Sequence, residues 1–231
     1  MQIPYKEQQK KLVQQAEHAL QTNHYHSTVI AMQKDYEKDK QRCLTSVVFI
    51  PNQIAQKIIK EVVDELKKIE SCHYFYPPES MHITIKNIRT LQNLPSFTEQ
   101  DIKKANRLFN EIVPQYSAFD FHLEDLIAFP TSLSVMAYSS DQLQKLILAL
   151  DKGLKEIGIP DNKRYFSDEI FWGNISFCRF MKKPAQQFID RVKQMRHLKI
   201  GTFRAEKVHL ISCNAGCAKK TIKVHGEYYL K

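Results

Sequence analysis

From residue 44 onward the chain alternates strand patterns with helix patterns, and the connections between them are short. Residues 45–50 are β-branched and apolar, which predicts a strand that ends before Pro51. Apolar residues then recur at helical spacing from Ile54 to Ile69, which predicts a long helix. Residues 81–88 alternate apolar with polar and predict a half-buried strand. Strands and helices mixed in this way favour an α+β fold in two lobes.

The same patterns continue to the end of the chain. Further strands are predicted at 119–127, 132–138, 170–180, 202–212 and 221–230. Further helices are predicted to begin at a Thr98 cap, at a capping box formed by Ser139 with Gln142, and near Ala185, with Gly158 ending the second of them. A helix followed by a strand with a polar-x-hydroxyl triplet occurs once in each half, which indicates a coarse twofold repeat.

Residues 1–43 have a different pattern. Two apolar stripes at helical spacing, at 12–20 and 29–36, are separated by the polar stretch 22–27. The pattern predicts an appended helical extension, folded as a hairpin, ahead of a domain that spans 44–231. The hairpin carries no chemistry of its own and is a candidate docking surface for a protein partner.

The net charge of +9 is unevenly distributed. Residues 179–231 contain 13 Lys and Arg against 3 Asp and Glu, whereas residues 1–178 are almost balanced. Such asymmetry favours an anionic partner, with nucleic acid or a phosphorylated small molecule ahead of a membrane. A solvated lysine-rich face explains the charge equally well.

Three features of the composition indicate the compartment. No apolar run approaches the roughly 20 residues that a membrane span needs, and the first residues lack the apolar core of a signal peptide. The five cysteines are irregularly spaced, as is typical of reduced thiols, and Cys213 with Cys217 lacks a second pair to complete a zinc site. We therefore expect a cytoplasmic protein without a metal centre.

The triplet His82-Ile83-Thr84 places an imidazole and a hydroxyl on one face of the strand at 81–88, because alternate residues of a strand share a face. An imidazole exchanges protons near neutral pH, and a hydroxyl can donate to a phosphoryl oxygen. Lys86 is the next residue of that face and is either a substrate-binding cation or a solvated strand residue. Composition alone produces about one such triplet by chance, and His26-Ser27-Thr28 is a second instance, so a structural histidine is the alternative.

The sequence around this triplet, Pro-Pro-Glu-Ser-Met-His-Ile-Thr-Ile at 77–85, resembles the first signature of the 2H phosphoesterase superfamily. That superfamily includes bacterial 2′-5′ RNA ligases and RNA 2′,3′-cyclic phosphodiesterases. The likeness extends to the strand, proline and long helix before the signature, to a late Ser212 on a strand, and to the Tyr-rich last strand. It covers residues 44–231 and implies a bilobal fold of two antiparallel sheets, with helices outside and a central groove.

The second signature of the superfamily is a His-x-Ser/Thr on the other lobe, usually followed by an Arg. The matching segment here is Asn174-Ile175-Ser176, with Arg179 three residues later, so an asparagine replaces the histidine. The resemblance implies catalytic roles for His82, Thr84, Asn174 and Ser176, with His82 as the surviving proton-transfer residue. An amide does not titrate near neutral pH, so we expect a rate lowered about 10²–10⁴-fold relative to a two-histidine site.

Several other residues are candidates for the site. His122, His209 and His225 lie on predicted strands and are candidates to replace the missing histidine. Arg179 is a candidate phosphate ligand, the alternative being a surface ion pair with Asp168 or Glu169. Aromatic residues near the signatures can stack a nucleobase, and Tyr76 and Trp172 are the substrate-binding candidates among them; the alternative for each is the core.

The resemblance implies a phosphoesterase-like protein that acts on or binds RNA ends, 2′,3′-cyclic phosphates or 2′-5′-linked oligonucleotides. The alternative is a non-catalytic nucleotide or RNA binder that retains the groove. No metal or organic cofactor is implied, because paired acid–base chemistry on a cyclic phosphate can proceed without one.

Overall fold

The computed structural model describes residues 3–22 and 24–231. The described strands are β1 (Arg42–Phe49), β2 (Tyr74–Phe75), β3 (His82–Gln92), β4 (Phe119–Phe129), β5 (Ser132–Tyr138), β6 (Gly173–Arg179), β7 (Lys199–Ala205), β8 (Lys207–Cys213) and β9 (Lys223–Tyr229). The described helices are α1 (Tyr5–Gln21), α2 (Asn52–Ile58), α3 (Asp64–Ile69), α4 (Glu99–Ile112), α5 (Asp141–Glu156) and α6 (Gln186–Gln194), and a π-helical turn at Ile59–Val63 joins α2 to α3. Short 3-10 turns lie at Pro78–Ser80, Val113–Gln115 and Lys219–Thr221.

The strands form one curled antiparallel sheet in the order β7-β4-β5-β6-β3-β1-β8-β9, and β2 adds to β6. Two four-stranded halves, β7-β4-β5-β6 and β3-β1-β8-β9, meet where β6 pairs with β3. The register at this junction has one paired position, Ile83 opposite Ile175. The halves are the two predicted lobes, and their strands come together at the two triplets.

Strands β3 and β6 lie close together at this junction because of the residues that are buried there. Ile83 and Ile175 are fully buried in the main core, so their neighbours along each strand turn to the opposite face. Gly173 permits the close approach of β6, since a Cβ there would lie 2.7 Å from Cγ2 of Ile83. Any larger residue at this position would push the two strands apart.

The helices lie against the sheet, and their caps largely follow the sequence. Thr98 caps α4, as predicted, and Asp101 completes a capping box that was not predicted. The predicted box at Ser139 is wrong by one residue: Ser140 accepts from the N–H of Gln142, and Ser139 donates instead to the carbonyl of Asp120. None of the helices in the described residues combines the length and apolarity that a membrane crossing requires.

The predicted strand at 202–212 is two strands. It divides at Glu206 into β7, which pairs with β4, and β8, which pairs with β1. The chain therefore passes from one lobe to the other at Glu206. The alternation of apolar and polar residues changes phase at this crossing, where Glu206 and Lys207 are consecutive polar residues, and this is the sign of it in the sequence.

The N-terminal helix is confirmed and packs on the sheet. Val13 and Ala16 of α1 are buried, and the fully buried Gln9 ties the helix to two later segments. Its Nε2 donates to the carbonyl of Phe171 at 2.6 Å, and its Oε1 accepts from the N–H of Ser139 at 2.9 Å.

The second predicted helix of the hairpin, at 29–36, does not form, and residues 24–41 are an irregular strap across the molecule. Tertiary hydrogen bonds hold this strap: Thr28 bonds Arg164 through backbone and hydroxyl, Thr131 donates to the carbonyl of Ile30, and Tyr36 donates to the carbonyl of Phe180. These bonds outweigh the weak helical preference of a short apolar stripe. Met1, Gln2 and Asn23 lie outside the described residues, and the boundary at residue 43 stays a prediction.

Candidate functional site

The two triplets lie side by side at the junction of β3 and β6. Because the strands are antiparallel and Ile83 is opposite Ile175, the register places His82 nearest Ser176 and Thr84 nearest Asn174. All four side chains are on the face opposite the two isoleucines and line one cavity. Segments that are far apart in the chain thus supply a single site.

The site is a groove made of two adjoining cavities. The His82 chamber, of about 400 Å³, is lined by His82 together with Cys43, Tyr76, Cys213 and Cys217. The Trp172 chamber, of about 200 Å³, is lined by Trp172 together with Phe129, Tyr165 and Phe166. Both chambers are lined by Thr84, Lys163, Asn174, Ser176 and Arg179. No Asp or Glu among the described residues lines either chamber, so the groove is positively charged.

His82 is arranged to act as a base. Its Nδ1 lies 2.7 Å from the carbonyl oxygen of Ser80, which can only accept, so Nδ1 carries the hydrogen and Nε2 keeps a free lone pair. Burial lowers the pKa of His82 below its ordinary value, and the hydrogen bond to Ser80 opposes that shift in part. The ring is therefore neutral near pH 7, with an unprotonated nitrogen available to take a proton.

Ser134 of β5 positions both polar residues of the second triplet. Asn174 donates from Nδ2 to the hydroxyl of Ser134 at 3.1 Å, and the hydroxyls of Ser134 and Ser176 are 3.2 Å apart. If Ser134 gives its hydrogen to Ser176, the hydrogen of Ser176 is free for a ligand. The hydroxyl of Thr84 has no protein partner among the described residues. Sequence reasoning missed Ser134, although a fully buried serine on an apolar strand beside the second triplet is a usable signal.

Arg179 brings a buried charge to the groove. Its Nε donates to the hydroxyl of Tyr76 at 2.9 Å, and that hydroxyl donates to the carbonyl of Ala215 at 3.2 Å. The alternative of an ion pair with Asp168 or Glu169 is wrong, because Arg179 is 8% exposed and pairs with no carboxylate in the described chain. A buried cation without a counter-charge is costly, and a bound anion would offset that cost.

Tyr76 and Trp172 both line the groove but have different surroundings. Tyr76 is buried, and its hydroxyl holds the guanidinium of Arg179, so it positions the arginine rather than offering a free ring face. Trp172 is half-buried, and its ring lies 5.9 Å from that of Phe166. The Trp172 chamber is therefore the aromatic part of the groove, where a flat ring can stack.

Lys86, predicted to bind substrate, lies elsewhere. A bulge in β3 pairs Ser46 with Lys86 and Val47 with Thr84, so Lys86 is turned away from the face of Thr84. Its buried ammonium is 2.8 Å from carboxylate oxygens of both Asp151 and Asp161. Lys86 lines neither chamber, and its charge is neutralised within the fold.

Lys163 is a cation of the groove that sequence reasoning missed. It lies between α5 and β6, lines both chambers, and its Nζ is 5.2 Å from the centre of the Tyr165 ring. It forms no ion pair with a carboxylate of the described residues. The polar run Asp-Asn-Lys-Arg at 161–164 has the pattern of an ordinary surface loop, and only its place just before the second triplet is a signal.

The uneven charge of the chain did not locate the site. Among the 13 basic residues of 179–231, only Arg179 lines either chamber. Others pair with acidic residues from the earlier part of the chain, as Lys182 does with Glu70 and Arg196 with Glu17. The basic residues of 179–231 other than Arg179 therefore lie outside the groove.

The three other candidate histidines lie outside the groove. His122 Nδ1 lies 3.1 Å from Thr202, His225 Nε2 lies 2.9 Å from Ser212, and none of the three lines a chamber. His209 contacts the ring of Phe49 instead. His82 is therefore the one imidazole of the groove within the described residues.

Three thiols close one end of the His82 chamber. Cys43 and Cys213 face each other across β1 and β8 with their sulfurs 3.6 Å apart, and Cys217 lies beside them. The hydrogen bond with Cys213 and burial raise the pKa of Cys43 well above its ordinary value, and the hydrogen bond with Cys217 and burial do the same for Cys213. Cys43 and Cys213 are therefore protonated at neutral pH.

Comparison with known proteins shows the fold. No protein-family model matches the chain, and no curated protein matches it. Among solved structures, TT0787 of Thermus thermophilus is 15% identical, covers 81% of this chain and 97% of its own, and superposes with a TM-score of 0.58. LigT of E. coli, solved with ATP, is 12% identical with 83% and 99% coverage and a TM-score of 0.58. The structure of LigT with 3′-AMP matches with the same identity and coverage and a TM-score of 0.57.

A structure described as a phosphoesterase is also similar, at 13% identity, 84% and 99% coverage and a TM-score of 0.57. At these identities the likeness concerns the fold. The predicted bilobal α+β architecture with the 2H phosphoesterase fold is confirmed.

Proposed function

We propose that this chain, which has the 2H phosphoesterase fold, binds a nucleotide phosphodiester in the groove and hydrolyses a 2′,3′-cyclic phosphate there. One observation carries the proposal: His82, Thr84, Ser176 and Arg179 line a single chamber that no described carboxylate lines. Structural neighbours solved with ATP and with 3′-AMP agree with a nucleotide ligand. RNA ends and 2′-5′-linked oligonucleotides, which contain the same phosphodiester, belong to the same proposal.

The geometry supports separate roles for the residues that bind the phosphoryl group and the residue that takes a proton. Thr84 and Ser176 donate hydrogen bonds to the non-bridging oxygens of the phosphoryl group, and Arg179 neutralises their charge. His82 takes a proton at Nε2 from the attacking water, whose oxygen bonds to phosphorus. The bond from phosphorus to one ribose oxygen breaks, that oxygen takes up a proton from a donor in the groove or from solvent, and the product is a phosphomonoester with a free ribose hydroxyl.

The direct experiment is hydrolysis of 2′,3′-cyclic AMP by the purified protein, together with the affinity for 3′-AMP. We expect turnover that Thr84→Val lowers, because valine has the shape of threonine without its hydroxyl. Thr202→Val is the matched control, since Thr202 is exposed on β7 and lines neither chamber. If the protein neither hydrolyses the cyclic nucleotide nor binds 3′-AMP, the proposal is wrong.

The same assay across pH tests the role of His82. A general base must be unprotonated, so kcat/KM falls as pH decreases through the pKa of the base in the free enzyme. Since burial lowers the pKa of His82, the acid limb is expected to have its midpoint below about 6.5, the ordinary histidine value. A midpoint above 7 contradicts this assignment.

A second candidate function is favoured by one residue. Asn174 lines the groove and does not titrate, so a groove that binds nucleotides without hydrolysing them is the alternative. This alternative predicts affinity for 3′-AMP and no cleavage of 2′,3′-cyclic AMP at any pH. The hydrolysis experiment separates the two functions.

A further inference from the structure

The groove contains one more group that can donate a proton. Beside Thr84, Asn174 and Ser176, the ammonium-bearing side chain of Lys163 lines both chambers. It is half-buried, and it reaches the groove from the loop that leads into β6. The non-titrating Asn174 and the titrating Lys163 therefore line the same two chambers.

Lys86 and Lys163 differ in whether a carboxylate neutralises the charge of the ammonium group. Asp151 and Asp161 both contact the ammonium of Lys86 at 2.8 Å. No carboxylate of the described chain forms an ion pair with Lys163, whose ammonium lies 5.2 Å from the centre of the Tyr165 ring. Lys86 thus supplies structure, while Lys163 keeps its charge and its three hydrogens available to a ligand.

The backbone of Lys163 is fixed on both sides. Its N–H donates to the carboxylate of Asp161 at 2.7 Å, and the next residue, Arg164, exchanges two hydrogen bonds with Thr28 of the strap. The strap, which precedes residue 44, therefore holds this loop against the groove. A fixed backbone limits the positions that the ammonium can reach.

The net effect of burial and of the charges around Lys163 is to lower its affinity for a proton. Burial lowers its pKa from the ordinary lysine value, and the positive charges of Arg179 on β6 and Lys86 on β3 act in the same direction. Asp161 of its own loop and Cys43 of β1 oppose the shift. A lysine with a lowered pKa gives up a proton more readily than an exposed lysine.

We propose that Lys163 is the proton donor to the leaving ribose oxygen. It takes the role of the histidine that the second signature has at the position of Asn174. This inference rests on the proposed hydrolysis. Water loses a proton to Nε2 of His82 as its oxygen bonds to phosphorus, the phosphorus–ribose bond breaks, and the departing oxygen takes a proton from Nζ of Lys163. Proton exchange with solvent then returns His82 to its neutral form and Lys163 to its ammonium form.

The test compares Lys163→Met, Lys163→Arg and the control Lys152→Met with the unchanged protein, in hydrolysis of 2′,3′-cyclic AMP and in affinity for 3′-AMP. Methionine removes the proton donor, and we expect kcat to fall about 10²-fold or more. Arginine keeps the charge but does not give up a proton, so Lys163→Arg is expected to keep KM within about threefold while kcat stays low. Lys152 is exposed on α5 and lines neither chamber, so Lys152→Met leaves kcat unchanged.

Two further results identify the lost group as an acid. The unchanged protein should lose kcat at high pH as Lys163 deprotonates, and this alkaline limb should be absent from Lys163→Met. Adding Asn174→His to Lys163→Met should recover at least about tenfold in kcat, with the limb moved toward the pKa of an imidazole. The alkaline limb decides between the two roles, because a purely structural lysine would not produce a limb that disappears in Lys163→Met.

Failure of this inference is distinct from failure of the proposed function. If the unchanged protein hydrolyses the cyclic nucleotide and Lys163→Arg is equally active, Lys163 is not the proton donor although the function stands. If the protein binds 3′-AMP without any hydrolysis, Lys163 does not replace the missing imidazole, and the binding function stands. If it neither binds nor hydrolyses, the proposed function itself is overturned.

Discussion

His82→Asn is expected to lower the rate of 2′,3′-cyclic AMP hydrolysis by about 10²–10⁴-fold, the usual contribution of a positioned general base. Asparagine keeps an N–H near the position of Nδ1, so the hydrogen bond to the carbonyl of Ser80 can persist. What is lost is the basic Nε2. Affinity for 3′-AMP should change little, because Thr84, Ser176 and Arg179 still hold the phosphate.

His209→Asn is the matched control for this substitution. His209 is a half-buried strand histidine that contacts the same Phe49 ring as His82 and lines neither chamber. Burial lowers the pKa of His209 as it does that of His82, so the two residues differ chiefly in access to the groove. Equal losses of rate in both variants would mean that His82 has only a structural role.

Arg179→Met is expected to weaken binding of 3′-AMP by about 30- to 5000-fold, corresponding to the 2–5 kcal/mol that truncation of a buried hydrogen-bonded charge typically costs. The same substitution should leave the free energy of unfolding unchanged or higher. The reason is that Arg179 is buried with only the hydroxyl of Tyr76 as a hydrogen-bond partner among the described residues, so methionine removes an uncompensated charge. Titration calorimetry with 3′-AMP and urea unfolding measure the two effects.

Lys86→Met is the control with the opposite expectation. It leaves the buried Asp161 and the partly buried Asp151 without their shared cation, so the unfolding free energy should fall by about 3 kcal/mol, although Lys86 itself lines neither chamber. If Arg179→Met destabilises the protein as much as Lys86→Met and leaves nucleotide affinity intact, Arg179 is a structural cation and the phosphate site is misassigned.

Local rules predicted most of the secondary structure and the contents of each triplet. The period of two fixes the side on which His82 and Thr84 lie, and Thr98 ahead of an apolar helical pattern predicts the cap of α4. The resemblance supplied the long-range part, the convergence of the two triplets, since no local pattern relates residue 82 to residue 176.

The errors all lie where distant contacts decide the outcome. The strap at 24–41 is irregular because it bonds to Thr131, Arg164 and Phe180, none of which its own pattern contains. Lys86 was wrongly predicted to line the groove, because the bulge that turns it away from Thr84 depends on pairing between β3 and β1. Lys163 was missed because its importance comes from the neighbours that the fold gives it.

The position of a phosphate bound in the groove tests the central claim most directly. A crystal structure of the protein with 3′-AMP should place phosphoryl oxygens within about 3 Å of the hydroxyls of Thr84 and Ser176, with Arg179 facing the same group. A 3′-AMP molecule whose phosphate lies outside both chambers, with the two hydroxyls uncontacted, would contradict the account.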